Sequence, residues 1–305
     1  MGANNKIYLG VGHVSFDEIL GAYYQDFTPA MYHFENNSLG KFDENGIPYI
    51  IEPDRNYYSV VAVIQYGLIL HDLILKGENV LNHQKSLLNC LNWLIANSEV
   101  FKDSVVWRNA ENTHYHLEKG WISAMYQGQA ISLFLRAAQM FEDETYIKLS
   151  KDIFMFFKYD YSEGGVKRID NSGNIWFEEY PTDPPSFVFN GFVYTIFGIL
   201  DYYRFTKDQE AKDLYDSCIE TVEKNIHKYD RFYWTLYDQL KKELVSYYYQ
   251  KNVHIPLVSI LYLLTKSEKF DRLKKKWTKQ KNIKVNLLFV SLMYRIQPRI
   301  IKLLK

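Results

Sequence analysis

Two carboxylates and a phenol stand side by side at Glu178-Glu179-Tyr180, directly before Pro181. Proline disfavours the α conformation in the residue that precedes it, so these side chains are expected on an extended segment. Residues 182–185, Thr-Asp-Pro-Pro, combine N-cap residue types with prolines that suit a first helical turn. From residue 187 to about residue 200 the chain is apolar nearly all round, which predicts a buried helix. The acidic segment is therefore expected at the positive end of an internal helix, where an anionic ligand would be favoured.

The elements around this segment are predicted to be mostly helical hairpins. Nearly all-apolar helices alternate along the chain with amphipathic ones, which is typical of paired inner and outer helices. Residues 164–177 read as a β-hairpin that delivers the acidic segment, and residues 99–120 read as a loop. We therefore expect an all-α fold, an (α/α) toroid of helical hairpins with a small β-hairpin near the active site. The expected organisation is an extended arm over residues 1–55, the barrel over 56–282 and a basic amphipathic helix over 283–305.

Composition narrows the classes of function. With 36 basic and 36 acidic residues the formal net charge is zero, so no overall field favours nucleic acid. The 26 Tyr, 19 Phe and 6 Trp residues fit either a carbohydrate cleft or an aromatic core. Cys90 and Cys218 fall in helical patterns and are expected as buried, reduced thiols. A metal site is not expected, since His114 and His116 have no recognised ligand spacing with neighbouring acids. Neither a secretion leader nor a membrane span is expected, which favours a cytoplasmic location.

Several motifs together resemble the catalytic C-terminal domain of the D-glucuronyl 5-epimerases, which are the heparosan-glucuronate epimerases, in a compact bacterial-type form. The resemblance covers roughly residues 55–280. Its motifs are GWISAMYQGQA over residues 120–130, WFEEYPT over 176–182, SFVFNGF over 186–192, Tyr237-Asp238 and His254-Ile255.

The resemblance implies an (α/α) barrel that removes the proton from carbon 5 of glucuronate within a polymer and returns one on the opposite face, giving iduronate. It implies no cofactor and an anionic polysaccharide as substrate. The catalytic residues that it implies are Glu179, Tyr180, Tyr237 and Tyr249. Substrate contacts are expected at Tyr58, Trp121, Gln127, Gln129, Arg168, Asn190 and His254.

Two departures from the family pattern bear on the site. The family places a tyrosine four residues before the histidine of its His-Ile pair, and Gln250 occupies that position here. Tyr249 and Tyr248 lie one and two residues earlier, and Tyr249 is favoured for the role. Larger members also carry an arginine after Tyr-Asp that serves the substrate carboxylate, and this chain has none there. Lys241, Lys242 or Arg168 is expected to replace it.

The expected chemistry suits these residue types. A proton α to a carboxylate is very weakly acidic, so its removal needs a base on one face, an acid on the other and stabilisation of the resulting charge. A lyase or a glycoside hydrolase on the same barrel, or an inactive glycan-binding relative, stays open as an alternative. The adjacent Glu178 and Glu179 point apart in an extended segment, which disfavours them as the carboxylate pair of a hydrolase.

The segment over residues 283–305 mixes apolar and basic residues. It is interpreted as a helix that caps the barrel or forms a homodimer contact. The alternative is an amphipathic helix on the inner membrane face, near glycan synthesis.

Overall fold

The computed structural model describes residues 7–36, 40–52 and 56–303, and gives side chains within these ranges except at residue 35 and at 294–303. The N-terminal region holds a short helix, α1 (Met31–Glu35), and three short antiparallel strands in the order β1-β2-β3. These strands are β1 (Lys41–Phe42), β2 (Pro48–Ile51) and β3 (Asn56–Tyr57).

Helices dominate the rest of the described chain. They are α2 (Val60–Leu75), α3 (Val80–Ala96), α4 (Ala124–Phe141), α5 (Glu144–Phe154), α6 (Phe189–Thr206), α7 (Gln209–Asn225), α8 (Tyr247–Tyr249), α9 (Ile255–Thr265), α10 (Glu268–Asn282) and α11 (Lys284–Leu303). A π-helical turn, Gln250–His254, joins α8 to α9. Two further hairpins are formed by β4 (Glu99–Phe101) with β5 (Ser104–Val106) and by β6 (Lys167–Ile169) with β7 (Ile175–Phe177).

The helices pack as antiparallel hairpins with an inner and an outer member. The pairs are α2 with α3, α4 with α5, α6 with α7 and α9 with α10, while α4 lies between α2 and α6. Helices α4 and α6 are buried along nearly their whole length, whereas α5 and α7 bury only one side. The predicted mostly helical fold with small β-hairpins is confirmed, and closure into a toroid stays a prediction.

Small residues let the inner helices α4 and α6 approach closely. A methyl group added at Gly128 would lie 2.6 Å from the Cα of Thr195, and one at Gly198 would lie 2.1 Å from the carbonyl oxygen of Gly128. Larger residues at these positions would force the backbones of α4 and α6 apart.

The residues before α2 are tied to the inner helices through buried polar groups. The Tyr24 hydroxyl donates to Asp201 Oδ1 at 2.8 Å, and Arg136 pairs with Asp201 at 2.5 Å. The backbone N–H of Tyr23 donates to Asp72. Because these charges are buried, each depends on its partner, and the N-terminal region is fixed on the helical body. The predicted domain boundaries stay predictions, although α11 occupies most of the segment predicted as a C-terminal helix.

Two local predictions were wrong. Residues 99–106 form the β4–β5 hairpin where a loop was expected. The buried helix α6 begins at Phe189, not at the two prolines. Phe187 has a φ of +45°, which a helix cannot pass through, so residues 182–188 form an irregular turn instead.

The described residues contain no helix long and apolar enough to span a bilayer. Cys90 and Cys218 are free and buried, as predicted.

Candidate active site

A cavity of about 510 Å³ lies between the inner helices and the N-terminal region. Helical-body residues that line it include Met125, Glu179, Asn190, Tyr237 and Tyr249. The N-terminal region contributes lining residues from 27–50, with His33, Lys41 and Tyr49 among them. Four predicted site residues therefore meet in one cavity, although they come from widely separated parts of the chain.

Glu179 is delivered to the cavity by the β6–β7 hairpin. The backbone N–H of Glu178 donates to the Val166 carbonyl, and the Glu178 carbonyl accepts from the N–H of Ala124 at the start of α4. Both backbone groups of Glu178 are therefore fixed, and Glu179 follows directly. Glu179 is 2% exposed and lies against Gly191 in the first turn of α6. A methyl group at Gly191 would lie 2.4 Å from the Glu179 Cβ, so only glycine permits this approach.

The Glu179 carboxylate is surrounded by donors. Tyr237 Oη donates to Oε1 at 3.2 Å, and Asn190 Nδ2 donates to Oε2 at 3.2 Å. Burial raises the pKa of Glu179 to about 7, while hydrogen bonds from Tyr180, Tyr237, Asn190 and the Gly191 backbone oppose that rise. A carboxyl group with a pKa near neutrality is suited to take up and release protons at physiological pH.

The three predicted catalytic tyrosines surround this carboxylate. The rings of Tyr237 and Tyr249 meet edge to face with centroids 5.5 Å apart. Burial, and then the charge of Glu179, raise the pKa values of Tyr180, Tyr237 and Tyr249 well above 10. The three phenols are therefore protonated at neutral pH and can act as proton donors.

The turn that carries Tyr237 is organised by Asp238. This buried carboxylate accepts from the Tyr115 hydroxyl at 2.5 Å and from the backbone N–H groups of Lys241 and Lys242 at 2.6 and 3.0 Å. The Tyr-Asp motif thus separates into a tyrosine that lines the cavity and an aspartate that fixes its loop.

The π-helical turn explains the shifted tyrosine. The hydrogen bonds of a π turn join residues five apart instead of four, so Tyr249 and His254 come onto the same side of the helix. Their ring centroids are 5.4 Å apart. Pro256 has no N–H to give to Asn252, and the Gln25 side chain donates to the Asn252 carbonyl at 2.5 Å in its place.

His254 supports Tyr249 from behind and does not line the cavity. Its Nδ1 lies 2.9 Å from the Thr235 hydroxyl, and its ring contacts Phe189 and Trp277. Burial lowers the pKa of His254 to about 3, so the ring is neutral. The structure does not bring this predicted substrate contact into the cavity.

Arg168 and Glu178 lie together on the other side of the hairpin. Arg168 Nε is 3.6 Å from Glu178 Oε1, and its guanidinium stacks on Tyr161 at 3.6 Å. Glu178 also accepts from the Ser186 hydroxyl at 2.6 Å and from the Phe187 N–H at 3.1 Å. Glu178 therefore organises the irregular turn before α6, and Arg168 does not join the residues that line the cavity.

An aromatic platform flanks the site. The Tyr180 ring stacks on Tyr115 with centroids 4.3 Å apart and an interplanar angle of 14°. Trp121 lies 5.3 Å from Tyr180 in a tilted arrangement. Tyr58 is 43% exposed, donates to Asp43 at 2.8 Å and does not line the cavity.

The two predicted glutamines are buried in α4 behind the cavity wall. Gln127 Nε2 donates to the Val105 carbonyl at 2.8 Å. Gln129 Oε1 accepts from Gln65 at 3.3 Å, and Gln65 itself lines the cavity. Gln129 therefore contacts a residue of the cavity wall, Gln65, without lining the cavity itself.

Sequence reasoning missed several lining residues. Tyr194 belongs to a helical segment already predicted, but its orientation depends on packing between helices. Lys41 and His33 lie in a region where no helical period indicates what they face. The Asn45-Gly46 turn, which predicts a hairpin, was the available signal for Lys41.

The described part of the chain holds no group of three or more His, Cys, Asp or Glu residues placed to bind a metal. A buried carboxylate with a pKa near 7, bordered by protonated phenols at the mouth of an inner helix, defines a site for acid–base chemistry.

Comparison with known proteins agrees with this class of site. Residues 97–279 match the family model described as D-glucuronyl C5-epimerase C-terminus, so the chain belongs to that family. The chain is 35% identical over 173 residues to the D-glucuronyl C5-epimerase of Caenorhabditis elegans, an overlap of 51% of this chain and 27% of that protein. It is 29% identical over 177 residues to an uncharacterized protein of Methanocaldococcus jannaschii, covering 57% of each. The chain thus spans between about a quarter and just over half of these relatives.

Proposed function

We propose that the protein is a polymer-level uronate 5-epimerase that converts D-glucuronate to L-iduronate residues within an anionic polysaccharide such as heparosan. Membership of the epimerase family supports the reaction class. The single observation that carries the proposal is the buried Glu179 carboxylate, whose pKa is about 7 and which accepts a hydrogen bond from Tyr237 inside the cavity.

In the proposed reaction Glu179 removes the proton from carbon 5. The electron pair of that C–H bond passes into the uronate carboxyl group as an enediolate, whose charge must be stabilised until the proton returns. Because Tyr180, Tyr237 and Tyr249 are protonated, a tyrosine hydroxyl on the opposite face can then donate a proton to carbon 5. The configuration inverts, and no redox cofactor is needed for the electron balance.

The aromatic platform suits a polymer substrate. Trp121 and Tyr180 are partly exposed, Tyr115 stacks behind Tyr180, and sugar rings present flat C–H faces that can lie on such rings. One sugar would occupy the cavity while its neighbours in the chain contact the platform.

A hydrolase is disfavoured by the position of Glu178. That carboxylate faces Ser186 and Arg168, on the other side of the hairpin from the cavity, so it cannot act with Glu179 across one glycosidic bond. A lyase would use the same proton abstraction and remains the second candidate, because its first step needs the same residues.

The test is incubation with heparosan and with its N-sulfated form, followed by depolymerisation and quantification of iduronate. We expect iduronate from at least one polymer with the unaltered protein, and losses of about 100-fold or more in Tyr237→Phe or Tyr249→Phe where the lost phenol is the proton donor. Growth of the ultraviolet absorbance of an unsaturated uronate, without iduronate, would instead identify a lyase.

A further inference from the structure

In the proposed reaction, negative charge builds up on the carboxyl group of the uronate. The inference that follows rests on that proposed function. An enediolate carries more negative charge on the uronate carboxyl group than the substrate does, and a neighbouring cation would stabilise it. Arg168 is committed to Glu178 and Tyr161 outside the cavity. Lys241 reaches the His114 carbonyl and the Tyr115 ring. None of the three cations predicted for this role, Lys242 included, lines the cavity.

The cavity wall formed by the N-terminal region offers two basic side chains, His33 and Lys41. Burial lowers the pKa of His33, so its imidazole is neutral at physiological pH. Lys41 is solvent-exposed. Among the described residues lining the cavity, Lys41 is therefore the basic side chain left for this role.

The hairpin that carries Lys41 has a defined conformation. Lys41 in β1 pairs with Tyr49 in β2, across the turn at Asn45-Gly46. Asp43 Oδ1 accepts from the N–H groups of Asn45 and Ile47 at 2.9 and 2.8 Å, which closes the turn. Lys41 is thus presented to the cavity from a hydrogen-bonded strand.

Contacts outside the hairpin hold it against the helical body. Asp43 Oδ2 accepts from the Tyr58 hydroxyl at 2.8 Å, just before α2. Gly40 has a φ of +149°, and a methyl group there would lie 1.9 Å from the Tyr49 carbonyl oxygen, so the strands meet too closely for a side chain at this point. The Asn89 side chain also donates to the Asn45 carbonyl at 2.8 Å, from α3.

We propose that Lys41 is a substrate-binding residue that contacts the carboxylate of the uronate undergoing epimerisation. Lys41 and Glu179 both line this cavity, so one sugar bound there could meet the base with its carbon 5 and the cation with its carboxyl group. Lys41 lies outside the family-matched segment, residues 97–279, so the contact belongs to the N-terminal region of this chain.

The test compares two ligands and three variants by isothermal titration calorimetry. The ligands are a heparosan oligosaccharide and the same oligosaccharide with its uronate carboxyl groups reduced to alcohols. The variants are Lys41→Met, Lys41→Arg and the control Lys85→Met, which removes an exposed lysine of α3 away from the cavity. Because Lys41 is on the surface, these variants are expected to fold.

We expect Lys41→Met to weaken binding of the heparosan oligosaccharide by about 10-fold or more, the range of a charge-assisted contact. The same variant should bind the reduced oligosaccharide as the unaltered protein does, Lys41→Arg should recover most of the loss, and Lys85→Met should change neither affinity. Equal weakening for both ligands, or no weakening for either, would overturn the proposal.

The binding result for Lys41→Met and the test for iduronate formation can fail independently of each other. Iduronate formation by the unaltered protein, together with unchanged binding in Lys41→Met, would keep the epimerase and reject the lysine contact. Carboxylate-dependent loss of binding in Lys41→Met, without iduronate from any polymer, would keep the contact and reject the epimerase.

Discussion

Replacing Glu179 by glutamine should abolish activity and make the stability of the protein less dependent on pH. The substitution keeps the shape of the side chain but removes its ability to ionise. In the folded protein the pKa of Glu179 is raised from 4.5 to about 7, because its burial penalises the charged form. A group whose pKa is raised on folding contributes stability that is fully present below the unfolded value and is lost as the pH rises through the folded value.

The size of this effect follows from the two pKa values. Integrating proton binding between pH 5 and pH 8 gives a loss of roughly 2–3 kcal/mol of unfolding free energy from this one side chain. Between pH 5 and pH 8 the unfolding free energy of Glu179→Gln should therefore fall by roughly 2–3 kcal/mol less than that of the unaltered protein. The loss of a hydrogen bond that glutamine cannot reproduce, such as that from Asn190, changes the unfolding free energy of Glu179→Gln equally at pH 5 and at pH 8. It therefore cancels when the two pH values are compared.

The assay is urea denaturation at pH 5 and pH 8 of the unaltered protein, Glu179→Gln and the control Glu118→Gln, which changes an exposed glutamate. Glu178 is buried too, but it is present in all three proteins and its contribution cancels. If Glu179→Gln and the unaltered protein lose the same stability between the two pH values, Glu179 does not ionise in a buried site. The role proposed for it as the base would then fail.

Four further predictions concern Gly191, Arg168, the pH dependence of the rate and α11. Gly191→Ala should cost about 1–3 kcal/mol in urea denaturation and most of the epimerase activity, since its methyl group would displace Glu179; full activity would contradict this. Arg168→Met should destabilise the protein by about 3 kcal/mol at pH 8, and adding Glu178→Gln should recover part of it, with KM unchanged throughout; a raised KM would return Arg168 to the substrate site. The rate at low substrate concentration should rise with pH through about pH 7 as Glu179 ionises, and a flat profile would exclude it as the base. If α11 binds a membrane surface, as the alternative interpretation holds, liposomes with anionic lipid should retain the protein through its exposed apolar residues, such as Val285 and Leu288, each 72% exposed; equal flotation after removal of residues 283–305 would exclude that alternative.

Local sequence signals predicted the fold where they were strong. The apolar run from residue 187 to about residue 200 predicted a buried helix, which the structure has at Phe189–Thr206, and the pattern of residues 164–177 predicted the hairpin that delivers Glu179. The start of α6 was misplaced because residue types favoured a cap at Thr182. The Glu178 carboxylate, bound to Ser186 and Phe187, instead organises an irregular turn there.

The site was predictable only in part, because its members depend on tertiary packing. Motif positions identified Glu179, Tyr237 and Tyr249, which meet in the cavity. The same reasoning could not tell that His254 lies behind Tyr249, since the π-helical turn becomes visible only when the hydrogen bonds are known. It also could not place Lys41, because the N-terminal region reaches the cavity through contacts with residues far along the chain, such as Gln25 with Asn252.

Hydrogen exchange at carbon 5 would show directly whether Glu179 removes that proton. Heparosan would be incubated in D2O with the unaltered protein, Glu179→Gln or Glu118→Gln, and the polymer followed by NMR. If Glu179 is the base, deuterium at carbon 5 and new iduronate signals should appear with the unaltered protein and with Glu118→Gln. Neither should appear with Glu179→Gln. Exchange that proceeds equally in Glu179→Gln, or no exchange with the unaltered protein, would contradict it.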